Sequence, residues 1–302
     1  MRAQNDAGRR TRRMLKAGAL GAAATLALTG CSEEVKRGWY PGTNETTNHN
    51  EVLTNLWVNS WIAALVIGLV AWAAMIWCMV AYRRRKNDQG FPKQTAYHMP
   101  LETMFTVIPL VLVFGLWGFT DRVQTEVDTP VDDSPLTVTV YGKQWAWDFN
   151  YEYEGQEAHY MGVQAQLDTD GNAGVQDTLP TLYLPVDVPV HFELKSRDVA
   201  HSFWIPQFLQ KRDMLPGKTN HLYLTPQEEG RFDGKCAELC GEYHSEMLFN
   251  VEVVSEEEFK QQLDRMEPGL VGDEYNRNPN ENPDGAREME DDLQTPRGGG
   301  SH

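Results

Sequence analysis

Basic residues are scarce in this chain: 27 Lys and Arg stand against 43 Asp and Glu, for a formal net charge of -16 at pH 7. Six of those bases fall in the first thirty residues beside a single acid, so the remainder is more acidic still. A surface of that sign repels nucleic acid and attracts a basic protein partner. Charge is missing altogether from Val52 to Tyr82 and again from Thr103 to Thr120. Runs of that length without charge belong in a bilayer. Amphipathic helical spans are missing between Asp121 and Val254, which points that region towards β structure. From Glu267 onward apolar residues nearly vanish, and a disordered acidic tail is expected there.

The first thirty residues read as a secretory signal, with a basic start and a short apolar run at Ala17–Ala27. The run ends in Leu28-Thr29-Gly30-Cys31, which resembles a bacterial lipobox. Cleavage and lipidation there would make Cys31 the mature amino terminus, held at the outer leaflet by acyl chains. The alternative, an uncleaved first membrane helix, needs a longer apolar run than this one. Residues 31–51 are polar, with Pro, Gly and several Asn, and are expected to form an exposed exterior connector.

Residues 52–121 are expected to form a transmembrane helical hairpin, with spans at about 56–82 and 102–120. Leu56–Tyr82 supplies ~40 Å of helix, more than the ~30 Å hydrocarbon core requires. Trp57, Trp61, Trp77 and Tyr82 lie towards its ends, where amphipathic rings favour the interface. Arg83-Arg84-Arg85-Lys86 follows at once, and the positive-inside rule puts that cluster in the cytoplasm. The first span therefore runs inward and the second outward. Pro109 is expected to kink the second helix, and Cys78 to be a buried packing residue of the first.

Beyond Asp121 the pattern alternates with period two, as in Leu136–Tyr141 and Trp145–Tyr151. Further β segments are expected at Thr181–Leu184, Val190–Leu194, His221–Leu224 and Leu248–Val254, then a helix at Ser255–Met266. Many short strands between turn signals argue for a sandwich or Greek-key barrel over residues 122–258. Residues 152–178, rich in Gly, Asp and Gln, are expected to be an insertion loop. Residues 259–302 complete the chain as the end of that helix and the acidic tail.

The densest chemistry lies at Cys236-Ala-Glu238-Leu-Cys240-Gly-Glu-Tyr-His244-Ser-Glu-Met247. Thiolate and thioether are soft ligands that suit copper, and imidazole suits copper or zinc. A mononuclear blue-copper site needs one Cys, two His and a weak Met. This loop holds one Cys too many and one His too few. His201, in Asp198-Val-Ala-His201-Ser-Phe-Trp, is the candidate second imidazole. The set makes sense if both sulfurs bridge two metal ions, each also taking one His. Two plainer readings exist for the cysteines: a disulfide outside the cytoplasm, or a zinc site with His244. A disulfide leaves His244 and Met247 unexplained, and zinc has little use for Met247.

At these residues the sequence closely resembles subunit II of haem–copper cytochrome c oxidase, from about Leu53 to Glu258. The resemblance implies a cupredoxin-like Greek-key barrel behind a two-helix transmembrane hairpin. It implies a dinuclear copper centre with one copper each on His201 and His244, and Cys236 and Cys240 bridging both. Met247 and the backbone carbonyl of Glu238 would be the weak axial ligands. The Glu238 side chain would serve a Mg or Mn ion shared with the catalytic subunit, as hard carboxylates can. Trp145 matches the electron-entry Trp, Asp198 a donor-docking acid, and Glu102 the Glu at a proton-channel entrance. The plainer reading of Glu102 is a carboxylate at a helix N-terminus, and Trp147 is expected to be a core residue. His49, His98, His159, His191 and His221 have no ligand-like neighbours in sequence.

The chain is thus expected to be the electron-entry subunit of a terminal respiratory oxidase in a bacterial plasma membrane, its copper domain on the exterior. Its partners would be a cytochrome c, soluble or membrane-attached, membrane lipid, and a haem–copper catalytic subunit I with the other oxidase subunits. The spans contain no haem-ligating constellation, so dioxygen reduction would occur in the partner. The competing reading is a membrane-anchored copper carrier or chaperone, but a carrier would want fewer ligands.

Overall fold

The computed structural model describes residues 32–85, 90–91, 94–131, 134–164 and 179–272. The expected signal peptide, Cys31 and the acidic segment after residue 272 lie outside the described residues. The chain divides into two units, one of Met1–Tyr40 with Thr54–Phe119, the other of Pro41–Leu53 with Thr120–His302.

The helical unit follows from uninterrupted apolar sequence. After a short helix α1 (Glu33–Lys36), capped by the Ser32 hydroxyl, come α2 (Asn50–Ala81) and α3 (Met99–Asp128). Both are long and apolar enough to cross a membrane. Each extends beyond its expected span, α2 by starting at Asn50 and α3 by continuing to Asp128. A soluble helix hides an apolar stripe, whereas here Leu65, Leu69, Trp77, Val80, Val111 and Trp117 are all exposed. A helix meets every backbone hydrogen bond within itself, as lipid demands. Near the start of α2, Trp57 donates to the Gly38 carbonyl (2.9 Å) and stacks on Tyr40 at 4.8 Å. Pro109 does sit inside α3.

The second unit is built on strands. In chain order they are β1 (Leu136–Lys143), β2 (Ala146–Tyr153), β3 (Gln156–Met161), β4 (Thr181–Pro185), β5 (Val190–Ser196) and β6 (His201–Ile205). After these come β7 (Gln210–Met214), β8 (Asn220–Leu224), β9 (Gly230–Cys236), β10 (Leu248–Val254), helix α4 (Glu256–Leu263) and β11 (Glu267–Pro268). One sheet runs β11-β3-β2-β1-β5-β8 and the other β4-β10-β9-β6-β7. Two pairs are parallel, β1 with β5 and β4 with β10, and the others are antiparallel.

Alternation fixes which face turns inward. On β5, Val190, Phe192 and Leu194 are buried while His191, Glu193 and Lys195 face out. The inner layer stacks Phe203 on Phe249 at 5.2 Å, with Trp147 edge-on to Phe249 at 5.1 Å. Each such ring is worth roughly 1.5–3 kcal/mol of burial. Two packed sheets with crossover connections and a ligand-bearing loop at one end make the cupredoxin-like domain that the resemblance implies.

Three expectations are corrected. Residues 152–161 of the expected insertion form a hairpin, the end of β2, a turn at Glu154 and Gly155, and all of β3; residues 165–178 lie outside the described residues. The connector is not wholly exposed: Thr46, Thr47 and Asn50 are buried, and Asn50 donates to the carbonyls of Thr43 and Gln207 at 2.8 Å each. Asn48 and Thr225 exchange two further hydrogen bonds, so this strap is pinned by side chains that composition alone marks as loop formers. The tail does not become irregular at Glu267 either. Glu267 and Pro268 pair with β3, and buried Val271 exchanges hydrogen bonds with the Asn150 side chain.

Candidate metal centre

Two strand ends bring the donors together. His201 opens β6 two residues before Phe203, and Phe203 pairs in register with Cys236, the last residue of β9. The loop from Ala237 to Met247 is pinched shut at its base, where the Cys236 amide donates to the Met247 carbonyl at 3.0 Å. Beside it, the Ala237 amide donates to the Ser202 carbonyl at 3.0 Å. Strand ends and a closed loop fix where these donors sit.

The two sulfurs stand 3.9 Å apart, against ~2.05 Å for a disulfide. Each has its own imidazole: Cys236 Sγ lies 3.8 Å from His201 Nδ1, and Cys240 Sγ lies 3.5 Å from His244 Nδ1. Each also has one weaker donor, the Glu238 carbonyl at 3.2 Å from Cys236 and Met247 Sδ at 3.8 Å from Cys240. Cys236, Cys240, His201 and Met247 are buried. All six residues expected as ligands therefore meet in one place, arranged as two similar halves around the sulfur pair. Soft sulfur with imidazole suits copper, and the doubled arrangement suits two ions better than one.

The protonation states fit that purpose. Burial acts to raise the Cys236 thiol, but hydrogen bonds from His201 and the backbone outweigh it and hold the group at about 7. Burial and the neighbouring Cys236 charge push Cys240 up to about 12. Two thiolates side by side thus need a cation between them, and metal uptake must release protons. Burial disfavours charge on His201, yet the Asp198 hydrogen bond more than offsets this and raises its pKa.

Asp198 departs from its expected role. Its side chain is only 8% exposed, and one oxygen accepts from His201 Nε2 at 2.8 Å. The carboxylate also takes the amides of Gln144 and Val199, both at 2.6 Å. Burial opposes its charge, and those three hydrogen bonds win, keeping its pKa below the usual range. Its carboxylate braces the His201 ring, and a group so fully engaged offers little surface to a partner. Sequence signalled only its spacing of three from His201.

The ring of His201 is fully buried against Gly142, where a Cβ would come within 3.0 Å of the imidazole. Over the other half of the loop, Gln144 Nε2 donates to the Cys240 carbonyl at 2.7 Å and Trp145 Nε1 to the same oxygen at 3.3 Å. Gly241 has φ +124, and a Cβ there would meet Gln144 at 2.9 Å. Trp145 is half-buried and edge-on to Tyr243 at 4.9 Å. Trp147 is fully buried and donates to the Met247 carbonyl at 3.3 Å. The two tryptophans separate because β1 ends at Lys143 and β2 starts at Ala146, leaving Trp145 in the turn. Gly142, Gln144 and Tyr243 carried no sequence signal of a role here.

Glu238 and Leu239 form the exposed tip of the loop. Glu102 lies apart from this cluster in sequence and element, in the first turn of α3, where its carboxylate accepts from the His98 amide at 3.0 Å.

A family model described as "Cytochrome C oxidase subunit II, periplasmic domain" matches residues 136–254. The chain is 40% identical to a probable cytochrome c oxidase subunit 2 of Streptomyces avermitilis, over 73% of this chain and 77% of that one. It is 38% identical to a probable cytochrome c oxidase subunit 2 of Streptomyces coelicolor, over 84% of this chain and 88% of that one. Among solved structures, the periplasmic domain of subunit II of cytochrome oxidase of Bradyrhizobium japonicum is 29% identical, with TM-score 0.40, over 45% of this chain and 96% of that one.

Proposed function

The chain belongs to the cytochrome c oxidase subunit II family, and from that premise we propose that it is the electron-entry subunit of its complex. In this reading it takes electrons from a cytochrome c and passes them to a haem-containing catalytic subunit that reduces dioxygen. The observation that carries the reading is the doubled donor set: two unbonded sulfurs, each with one imidazole and one weak donor. His201, His244, Cys236, Cys240, Met247 and the Glu238 carbonyl would hold a dinuclear copper centre. When bound, that centre would supply a one-electron relay whose charge change is shared over two ions.

The protein's own part is to hold donors still and keep water away. The pinched loop base and two strands limit relaxation of the ligands, and burial of Cys236, Cys240 and His201 excludes solvent. Asp198 fixes the ring of His201, as carboxylates commonly do for ligand imidazoles. Trp145, half-buried and bonded to the Cys240 carbonyl, is the ring through which donor electrons would approach. The exposed Glu238 carboxylate would bind Mg or Mn at the boundary with the catalytic subunit. Glu102 would open a proton path, and its bond to the His98 amide is the rival role it has to share.

The two apolar helices would span the plasma membrane with Arg83–Arg85 inside and the copper domain outside. A lipid on Cys31 agrees with that orientation. Metal analysis with electron paramagnetic resonance on the purified full chain is the test. Two coppers per chain sharing one unpaired electron are expected; a single mononuclear copper, or stoichiometric zinc, would defeat the reading.

A further inference from the structure

A second group of metal-ligating side chains lies outside the sulfur-rich loop, on the outward face of the six-stranded sheet. His191 and Glu193 are alternate residues of β5, so they project on the same side. On β8, His221 stands opposite Glu193 and Tyr223 opposite His191. Register therefore builds a cross-strand cluster whose reverse face is core, with Val190, Phe192, Leu222 and Leu224 buried. His191 Nε2 lies 2.9 Å from His221 Nδ1, and one Glu193 oxygen lies within 4.8 Å of both imidazoles.

The two rings share that contact as a hydrogen bond, and the same spacing is the one two ligands of a single ion adopt. With metal–nitrogen bonds of ~2.0–2.1 Å, neighbouring ligands of a tetrahedral or octahedral ion stand ~2.9–3.4 Å apart. The imidazole planes are also braced. His191 stacks on Tyr223 at 4.7 Å and 16°, and His221 stacks on His191 at 5.2 Å and 29°. Lys195 lies 3.5 Å from the Glu193 carboxylate and leaves the imidazoles as the principal donors. Burial and the nearby His221 lower the pKa of His191, favouring the neutral ring that binds metal.

We propose that His191, Glu193 and His221 form a second, exchangeable metal site that takes one divalent first-row transition ion, of which Zn2+ is the natural probe. Two imidazoles and one carboxylate suit zinc and leave further positions for water or an outside ligand. Without sulfur, the site differs in kind from the buried cluster and does not depend on what that cluster holds. A bound ion would tie β8, an edge strand of its sheet, to β5.

Calorimetric titration of the folded full chain in detergent with zinc chloride tests this. It is run on the copper-loaded chain and in parallel on a Cys236→Ser, Cys240→Ser chain. One zinc per chain at micromolar concentration is expected in both. His191→Gln and His221→Gln should each weaken it at least tenfold, while Tyr223→Phe retains zinc. Zinc bound equally well by both histidine variants, or none bound at millimolar zinc, overturns the proposal. Zinc X-ray absorption on the wild-type chain gives a reading free of variant folding. A nitrogen and oxygen shell with imidazole scattering supports the site, and sulfur in the shell of the copper-loaded protein refutes it.

Discussion

The two donor clusters of the β-domain differ in almost every respect that decides metal chemistry. The loop cluster is buried, sulfur-rich, and closed by backbone hydrogen bonds at its base. The sheet cluster is half-exposed, free of sulfur, and placed by strand register alone. Burial makes unneutralised charge costly, so the first cluster must hold its cation tightly or keep its thiols protonated. Exposure lets water replace the ion at the second, which suits exchange. On these proposals the same fold would offer a resident site in a loop and a labile one on a strand face.

The comparison breaks most sharply if the sulfurs prove dispensable. Cys236→Ser should abolish the paired-copper signal and lower copper to at most one per chain, with zinc on the sheet cluster unchanged; elemental analysis and paramagnetic resonance measure both. Acid should separate the clusters next. For His191 the folded pKa lies below its ordinary 6.5, so the neutral form is favoured in the fold. Its contribution to stability is present above 6.5 and is lost as pH falls from there through the lower folded pKa. Zinc affinity should therefore drop as pH falls from 7 to 5, because protonating His191 removes one donor from the site. Flat zinc affinity across that range would remove the imidazoles from the site.

Asp198→Asn comes third. It keeps the shape but weakens the hold on His201, and copper affinity should fall by about 10–100-fold in chelator competition. An exposed docking acid would instead leave copper affinity alone and alter only donor binding. The tryptophan pair gives the smallest energetic effects. Trp147→Phe, fully buried, should cost ~1–3 kcal/mol in thermal or denaturant unfolding. Trp145→Phe loses the hydrogen bond to the Cys240 carbonyl and should cost about 0.5–1.5 kcal/mol, yet slow donor oxidation severely in stopped-flow. Wild-type transfer in a correctly metallated Trp145→Phe complex would make Trp145 only a packing residue.

What could be read in advance followed the range of the interactions involved. The helices were legible because apolar runs report their solvent directly, residue by residue. Cys236, Cys240, His244 and Met247 were legible because loop spacing survives folding, and His201 because a missing donor could be sought nearby. The bond from Asp198 to His201 was not legible, since a spacing of three does not tell inward from outward. His191, Glu193 and His221 were invisible as a group: two are neighbours on β5, but His221 reaches them only through the pairing of β5 with β8. The strap at Thr46–Asn50 and the strand at Glu267–Pro268 were misread for the same cause. Polar, turn-forming composition reports the lack of a local element, not the lack of a distant partner.

The pairing of β11 with β3 also sets an order of events. β11 follows every other strand of its sheet in the chain, and it covers β3 from Glu157 to His159, with Val271 anchored on Asn150. During synthesis the outer rim of β3 therefore waits for the residues made last among the described strands. Until they emerge, part of that rim offers unpaired amides and carbonyls to any passing strand. A ribosome that stalls before residue 267 would release a chain that already has its metal loop but still has an open sheet margin. Such a product would be competent to collect metal and prone to aggregate.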